Sequence, residues 1–124
     1  MPVVFVVAGA VLIGAALTIL PDRAQARDPW RHVGKIGMMD LVVVDAEQEL
    51  NKDVYRLAIG KVCAGREFCK VLIWADERMV PKTMPMTDAQ VRALRANWTY
   101  NGRTGSRTML WSCDIDPDPS SCFR

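Results

Sequence analysis

Hydrophobic spacing changes from block to block along this chain, and each block predicts an element. "MMDLVVVD", Met38 to Asp45, is apolar and rich in β-branched valine, the pattern of a buried strand. Leu50, Val54, Leu57, Ala58 and Val62 then recur at steps of four, three, one and four, which lines up one face of a helix. Glu47, Lys52, Asp53, Arg56 and Lys61 occupy the other faces. Asp45 with Gln48, or Asn51 alone, can cap its start, and Gly65 ends it, giving a helix near 46–63. "FCKVLIWA", Phe68 to Ala75, is apolar at almost every position and predicts a central strand. After a loop with prolines at 81 and 85, Thr87 and Gln90 form a capping box and Met86 can staple onto Val91, opening a helix near 88–97. Asp88 adds a favourable charge at its positive end. The last block predicts a hairpin, with strands near 97–101 and 107–113 around "NGRTGS", where Gly102 and Gly105 supply positive-φ turn positions. On the second of these strands Met109, Trp111 and Cys113 share one face, and Thr108, Leu110 and Ser112 the other. Residues 27–37, "RDPWRHVGKIG", lack periodicity and read as a polar lead-in. The sum is one α/β or α+β domain, 38–124, with two helices on a small sheet.

The front of the chain is different in kind. From Met1 to Pro21 no side chain is charged, and Pro21 is followed by Ala24-Gln25-Ala26. A helix-ending proline before A-x-A is the layout of a secretory signal, so 1–26 is expected to be removed after Ala26. The run lacks a basic start and is long for a signal. The alternative is an uncleaved membrane anchor at 3–20, with Arg23, Arg27 and Arg31 on its cytoplasmic side.

Composition narrows the classes. At 124 residues, 50% hydrophobic, 24% charged and a net charge of +2, the chain suits a single folded domain rather than a disordered or strongly nucleic-acid-seeking one. All four cysteines (Cys63, Cys69, Cys113 and Cys122) follow the proposed signal. An even count in a short exported domain predicts two disulfides. Local pairing, 63 with 69 and 113 with 122, is the expectation, and crossed pairing between strands is also reachable. Closing the two local loops stabilises the fold by about 2–3 kcal/mol each in the chain-entropy picture.

The closing stretch "WSCDIDPDPSSCFR" starts like a calcium loop, with Asp114, Asp116 and Asp118 at alternate positions. Such a loop needs glycine at its sixth position and an acid at its twelfth; the sixth here is Pro119. Asp-Pro bends that bring two sulfurs together explain the stretch better. Cysteine spacings of five and eight intervening residues do not suit a zinc site, and no C-x-x-C is present for redox work. His32, the single histidine, is expected to be solvent-exposed in the lead-in. No G-x-S-x-G, H-E-x-x-H or P-loop occurs, and adjacent acids such as Asp76 and Glu77 do not by themselves define a cleft. No metal and no cofactor are implied.

Positive charge gathers between Arg78 and Trp111, with six Lys or Arg against one acid, Asp88. Arg92 and Arg95 are expected on one side of the second helix, with Arg103 and Arg107 beside Trp98 and Tyr100 on the hairpin. Arginine next to exposed aromatic rings grips acidic or carbohydrate ligands or a protein partner. The plain alternative is core aromatics beside solvated arginines. Nothing suggests nucleic acid.

From about Asp53 to Phe123 the chain resembles small exported bacterial proteins without an assigned activity. The resemblance rests on "CKVLIWAD", "PMTDAQV", and "LWSC" followed by "DP" and "CF", a C-x5-C … W-S-C-x8-C-F pattern. It implies a periplasmic or secreted disulfide domain and supplies no catalytic residue. The expected function is a non-enzymatic envelope or secreted module that binds a protein or an acidic envelope polymer, touching a membrane only through an uncleaved N-terminus. The alternatives are a small periplasmic hydrolase or lyase acting on wall or saccharide material through carboxylates, and a tethered structural protein.

Overall fold

One six-stranded sheet carries the structure, a computed structural model that describes residues 27–124 and, before them, only Gly9 and Gly14. The segment read as signal or anchor therefore lies outside the described residues. Strands β1 (Trp30–Ile36), β2 (Met39–Val44), β3 (Phe68–Trp74), β4 (Leu94–Asn101), β5 (Ser106–Ser112) and β6 (Cys122–Phe123) stand side by side in chain order. β2 and β3 are parallel, as are β5 and β6, and the other neighbours are antiparallel. Helix α1 (Lys52–Val62) joins the parallel pair β2 and β3, and helix α2 (Asp88–Ala93) precedes β4. The fold is α+β, with a small sheet, two helices and two disulfides.

The polar lead-in is a strand. Trp30–Ile36 pairs with β2 through a bulge between His32 and Gly34. As an outer strand β1 is only half-buried, so its hydrophobic alternation is shallow and reads as irregular. A two-residue turn, Gly37-Met38, connects it to β2, with Gly37 at φ +58° where a side chain would be strained.

Alternation along the inner strands divides the core between the two faces of the sheet. Val42, Val44, Val71, Ile73 and Ala96 pack with α1 on one face. Leu41, Leu72, Trp74 and Leu94 pack on the other, under Met79, Val80 and Met86. Each fully buried large side chain contributes about 1.5–3 kcal/mol.

α1 starts later than the earliest reading allows. Asn51 is its cap, accepting from the Asp53 N–H at 3.1 Å, whereas Asp45 precedes a separate short 3-10 turn and makes no side-chain cap bond. The buried face is Val54, Tyr55, Ala58 and Ile59; Leu50 is 72% and Leu57 47% exposed. Tyr55 decides this rotation. Its ring lies edge-on to Trp111 at 5.2 Å, and its hydroxyl donates to the Glu49 carbonyl at 2.7 Å. Burial pushes its phenol pKa upward, helped by the nearby Glu49 charge and opposed by Arg95.

α2 is shorter than its sequence signal. The Thr87–Gln90 capping box forms, but the helix stops at Ala93 and Leu94 turns extended to pair with Trp74. Burying Leu94 against Leu41, Leu72 and Trp74 outweighs another helical turn. Met86 packs into this cluster, while Val91 stays exposed. The indole N–H of Trp74, donating to the Gln90 carbonyl at 2.9 Å, ties α2 to the sheet.

The hairpin closes at Asn101 and Ser106. Gly105 has a positive φ, but Gly102 does not; its role is proximity. Its N–H donates to the Glu67 carbonyl at 2.6 Å, and a Cβ there would lie 2.9 Å from that oxygen. Cys63 pairs with Cys69 and Cys113 with Cys122, the local connectivity. Two disulfides and no free cysteine belong to an oxidising, non-cytoplasmic environment. Among the described residues no helix is long and apolar enough to cross a membrane.

Candidate functional site

α1 packs against β1 and β2 and onto Trp111 of β5, leaving Trp98, Tyr100 and Met109 on the same sheet face only partly covered. Alternation aims Trp98 and Tyr100 of β4 and Met109 and Trp111 of β5 toward that opening, with Trp98 opposite Met109 and Tyr100 opposite Arg107. α1 supplies the facing wall through Ile59 and Gly60. A Cβ added at Gly60 would meet nothing within 4 Å, so glycine there keeps the wall low. The result is a groove of two joined hollows, about 380 Å³ and 260 Å³, that share Ile59, Gly60 and Trp98.

Its rim is cationic. Arg56 lines one hollow and Arg107 the other, and among the described residues no carboxylate lines either. The guanidinium of Arg107 stands 5.5 Å over the Tyr100 ring and has no ion-pair partner among the described residues. Arg56 pairs only with exposed Asp53, at 3.1 Å. At the far end Lys52 lies 5.3 Å over Trp111 and bonds Asp116 at 2.8 Å. An apolar, aromatic floor beside one unpaired guanidinium, that of Arg107, and a second paired only at the surface suits apolar matter carrying negative charge.

Of the residues expected to form one binding face, the structure brings together Trp98, Tyr100 and Arg107. The other three disperse. Arg95 is not on α2: the helix ends before it, and on β4 it is 22% exposed, clamped between Glu49 at 2.7 Å and Asp114 at 3.2 Å. Arg92 stays on α2, lining a separate hollow with Asp114 and Phe123. Arg103, in the hairpin turn, pairs with Glu67 at 3.1 Å. Ile59, Gly60 and Arg56, missing from the sequence reading of the site, join it because Tyr55 turns α1 so that Ile59 faces inward.

A larger cleft of about 850 Å³ opens where β2 and β3 end, the side on which parallel strands present ligand sites. Five acids and four arginines line it, and they are largely matched: Arg27 with Asp45, Arg31 with Glu77, Arg78 with Asp76, and Arg95 with Glu49. Hydrogen bonds from Arg78 hold the Asp76 carboxyl below its ordinary range. That is the reverse of what a general acid requires.

A buried charge cluster went unread in the sequence. Asp40 has no solvent exposure, yet His32 Nε2 lies 2.9 Å from its Oδ1, and Arg66 bonds both of its oxygens. His32 is thus solvent-exposed, as expected, but it is positioned by β1 rather than free in a lead-in. Arg66 reaches Asp40 from the loop that the Cys63–Cys69 disulfide closes. Asp40, the charge set within the apolar run from Met38 to Val44, is the signal for it. No described hollow opens onto this cluster, so its evident work is to hold β1, β2 and the α1–β3 loop together.

The terminal aspartates diverge. Asp114 accepts from Arg95 and Asp116 from Lys52, while Asp118 accepts from the Ser120 N–H at 3.0 Å and its hydroxyl at 2.8 Å. Lys52 holds the Asp116 carboxyl low, and Ser120 does the same for Asp118. Among the described residues no three metal-ligating side chains converge. No protein-family model, no curated protein and no solved structure matches this chain.

Proposed function

We propose that this protein is an exported, non-enzymatic binding module, working in the periplasm or outside the cell, whose groove between α1 and the β4–β5 hairpin receives an acidic segment of a partner protein. One observation carries the reading: half-buried Trp98 and Met109, beside buried Trp111, form an apolar floor, and among the described residues the charges lining it are those of Arg56 and Arg107. The disulfides and the resemblance to small exported bacterial proteins support the compartment. The carboxylate hydrolase or lyase has one observation in its favour, the acid-lined cleft at the ends of β2 and β3. Its acids are largely neutralised by arginine, which leaves binding the better-supported activity.

Capture from envelope extract with the oxidised protein tests this. A protein recovered by wild type should be lost with Gly60→Leu, which fills the groove, and with Arg107→Glu, while Arg92→Glu on α2 retains it. Equal recovery by all four proteins removes the groove as the site. Recovery of a protein-free acidic polymer instead makes the ligand a polysaccharide or polyphosphate.

A further inference from the structure

We infer, building on the groove reading, that the partner enters as an extended strand added to the free edge of β5, with alternate side chains lying over the groove. β5 has β4 on one side, but on the other β6 covers only Trp111 and Ser112. The hydrogen bonds to that outer segment come from the Trp111 N–H, to Ser121 at 3.4 Å, and from the Cys113 N–H, to Phe123 at 3.0 Å. In an antiparallel ladder such outward groups recur at every second residue. Arg107 and Met109 therefore turn their N–H and C=O groups to the same edge, and no strand among the described residues meets them there. Ser106 to Thr108 are exposed, and Met109 and Leu110 are half-buried. β6 shows that this edge accepts a strand, and it leaves the first five residues of β5 uncovered.

The groove explains why the occupant is a peptide of a definite kind. Its floor is Trp98 and Met109 and its one wall is α1; on the β5 side it lacks a second wall. A strand beside β5 supplies that wall. Its residues facing α1 lie next to Met109 and Arg107, so they are apolar at one site and acidic two residues away. A second copy of this chain is a poor occupant, because β5 against β5 brings two Arg107-bearing rims together. Main-chain bonds give the affinity in this mode, and the two side-chain sites give the selectivity.

The test uses the oxidised full-length protein and a phage-displayed library of linear peptides, followed by synthetic peptides of the enriched sequence. An enriched motif should carry an acidic residue two positions from an apolar one, and the Arg107 and Met109 amides should slow in hydrogen exchange when it binds. N-methylation scanned along the peptide should weaken binding about tenfold or more at every second residue and little between, since only alternate N–H groups face β5. Gly60→Leu should weaken the same peptide about tenfold by filling the groove; leucine favours the helix over glycine, so the variant folds. Loss on Gly60→Leu without an every-second-residue N-methyl pattern overturns strand addition and leaves the groove reading standing. Indifference to both overturns the two together. A library that yields no binder, or a concentration-dependent dimer that itself protects the Arg107 and Met109 amides, rejects the peptide occupant.

Discussion

His32 Nε2 lies 2.9 Å from Oδ1 of Asp40, joining a half-exposed ring on β1 to a carboxylate sealed from solvent on β2. Burial alone opposes ionisation of Asp40. Hydrogen bonds from Arg66 and His32, with the charges of Arg66 and Lys35, outweigh it and hold the carboxyl below its ordinary value of 3.8. A folded-state pKa below the unfolded one means that the unfolded chain binds the proton first. The stabilisation is therefore complete above the unfolded value and is lost as pH falls through the depressed one. Urea unfolding followed from pH 7 to pH 2 should show wild type losing stability below about pH 4 more steeply than Asp40→Asn. At pH 7 that variant should be weaker by about 3 kcal/mol, since it leaves a charge network without its centre.

Alkylation of the native protein without reductant should label no thiol. Removing either bridge, as Cys63→Ala with Cys69→Ala or Cys113→Ala with Cys122→Ala, should lower unfolding free energy by about 2–3 kcal/mol. The two pairs should differ in coupling. Arg66 is held at Asp40 from within the 63–69 loop, so loss of that bridge should combine with Asp40→Asn less than additively. Loss of the 113–122 bridge should add independently, as a double-mutant cycle in urea would show.

Gly102→Ala should destabilise the protein by about 1–3 kcal/mol, because the new methyl meets the Glu67 carbonyl at 2.9 Å and the hairpin must shift from β3. Gly60→Ala is the control, with open space at its Cβ, and should be neutral or stabilising. Thermal melts should show Gly102→Ala falling while Gly60→Ala holds or rises.

Thr87→Ala removes the side-chain half of the capping box, where the hydroxyl accepts from the Gln90 N–H at 3.2 Å. It should cost about 1 kcal/mol. Because Trp74 is tied to α2 at Gln90, the change should also appear in the near-ultraviolet signal of that buried indole.

Much of this architecture was legible where local chemistry and tertiary packing agree. The β3 run, the Thr87–Gln90 box and the 101–106 turn all name themselves, and the cysteine spacing suggested the local pairing that forms. Legibility fails where packing overrules the local pattern. β1 hides because an outer strand needs only partial burial. The helix expected near 88–97 is cut at Leu94 by the Trp74 cluster, and that cut carries Arg95 away from Arg92. The groove was half readable: Trp98, Tyr100 and Arg107 came from clustered charge and aromatics. Its α1 wall depends on Tyr55 facing inward, which no spacing of leucines reports.

Strand order in the sheet is also chain order, and its longest jump joins Phe68 to Asn101 across 33 residues. Neither sulfur bridge spans more than nine. Native pairings can thus form between stretches already close along the chain, a topology that favours fast assembly. Oxidation then fixes geometry inside two small neighbourhoods instead of lashing remote parts together. A single proteolytic nick in the loop from Asp76 to Thr87 would leave two pieces joined by no covalent bond. Their cohesion would rest on the shared sheet alone.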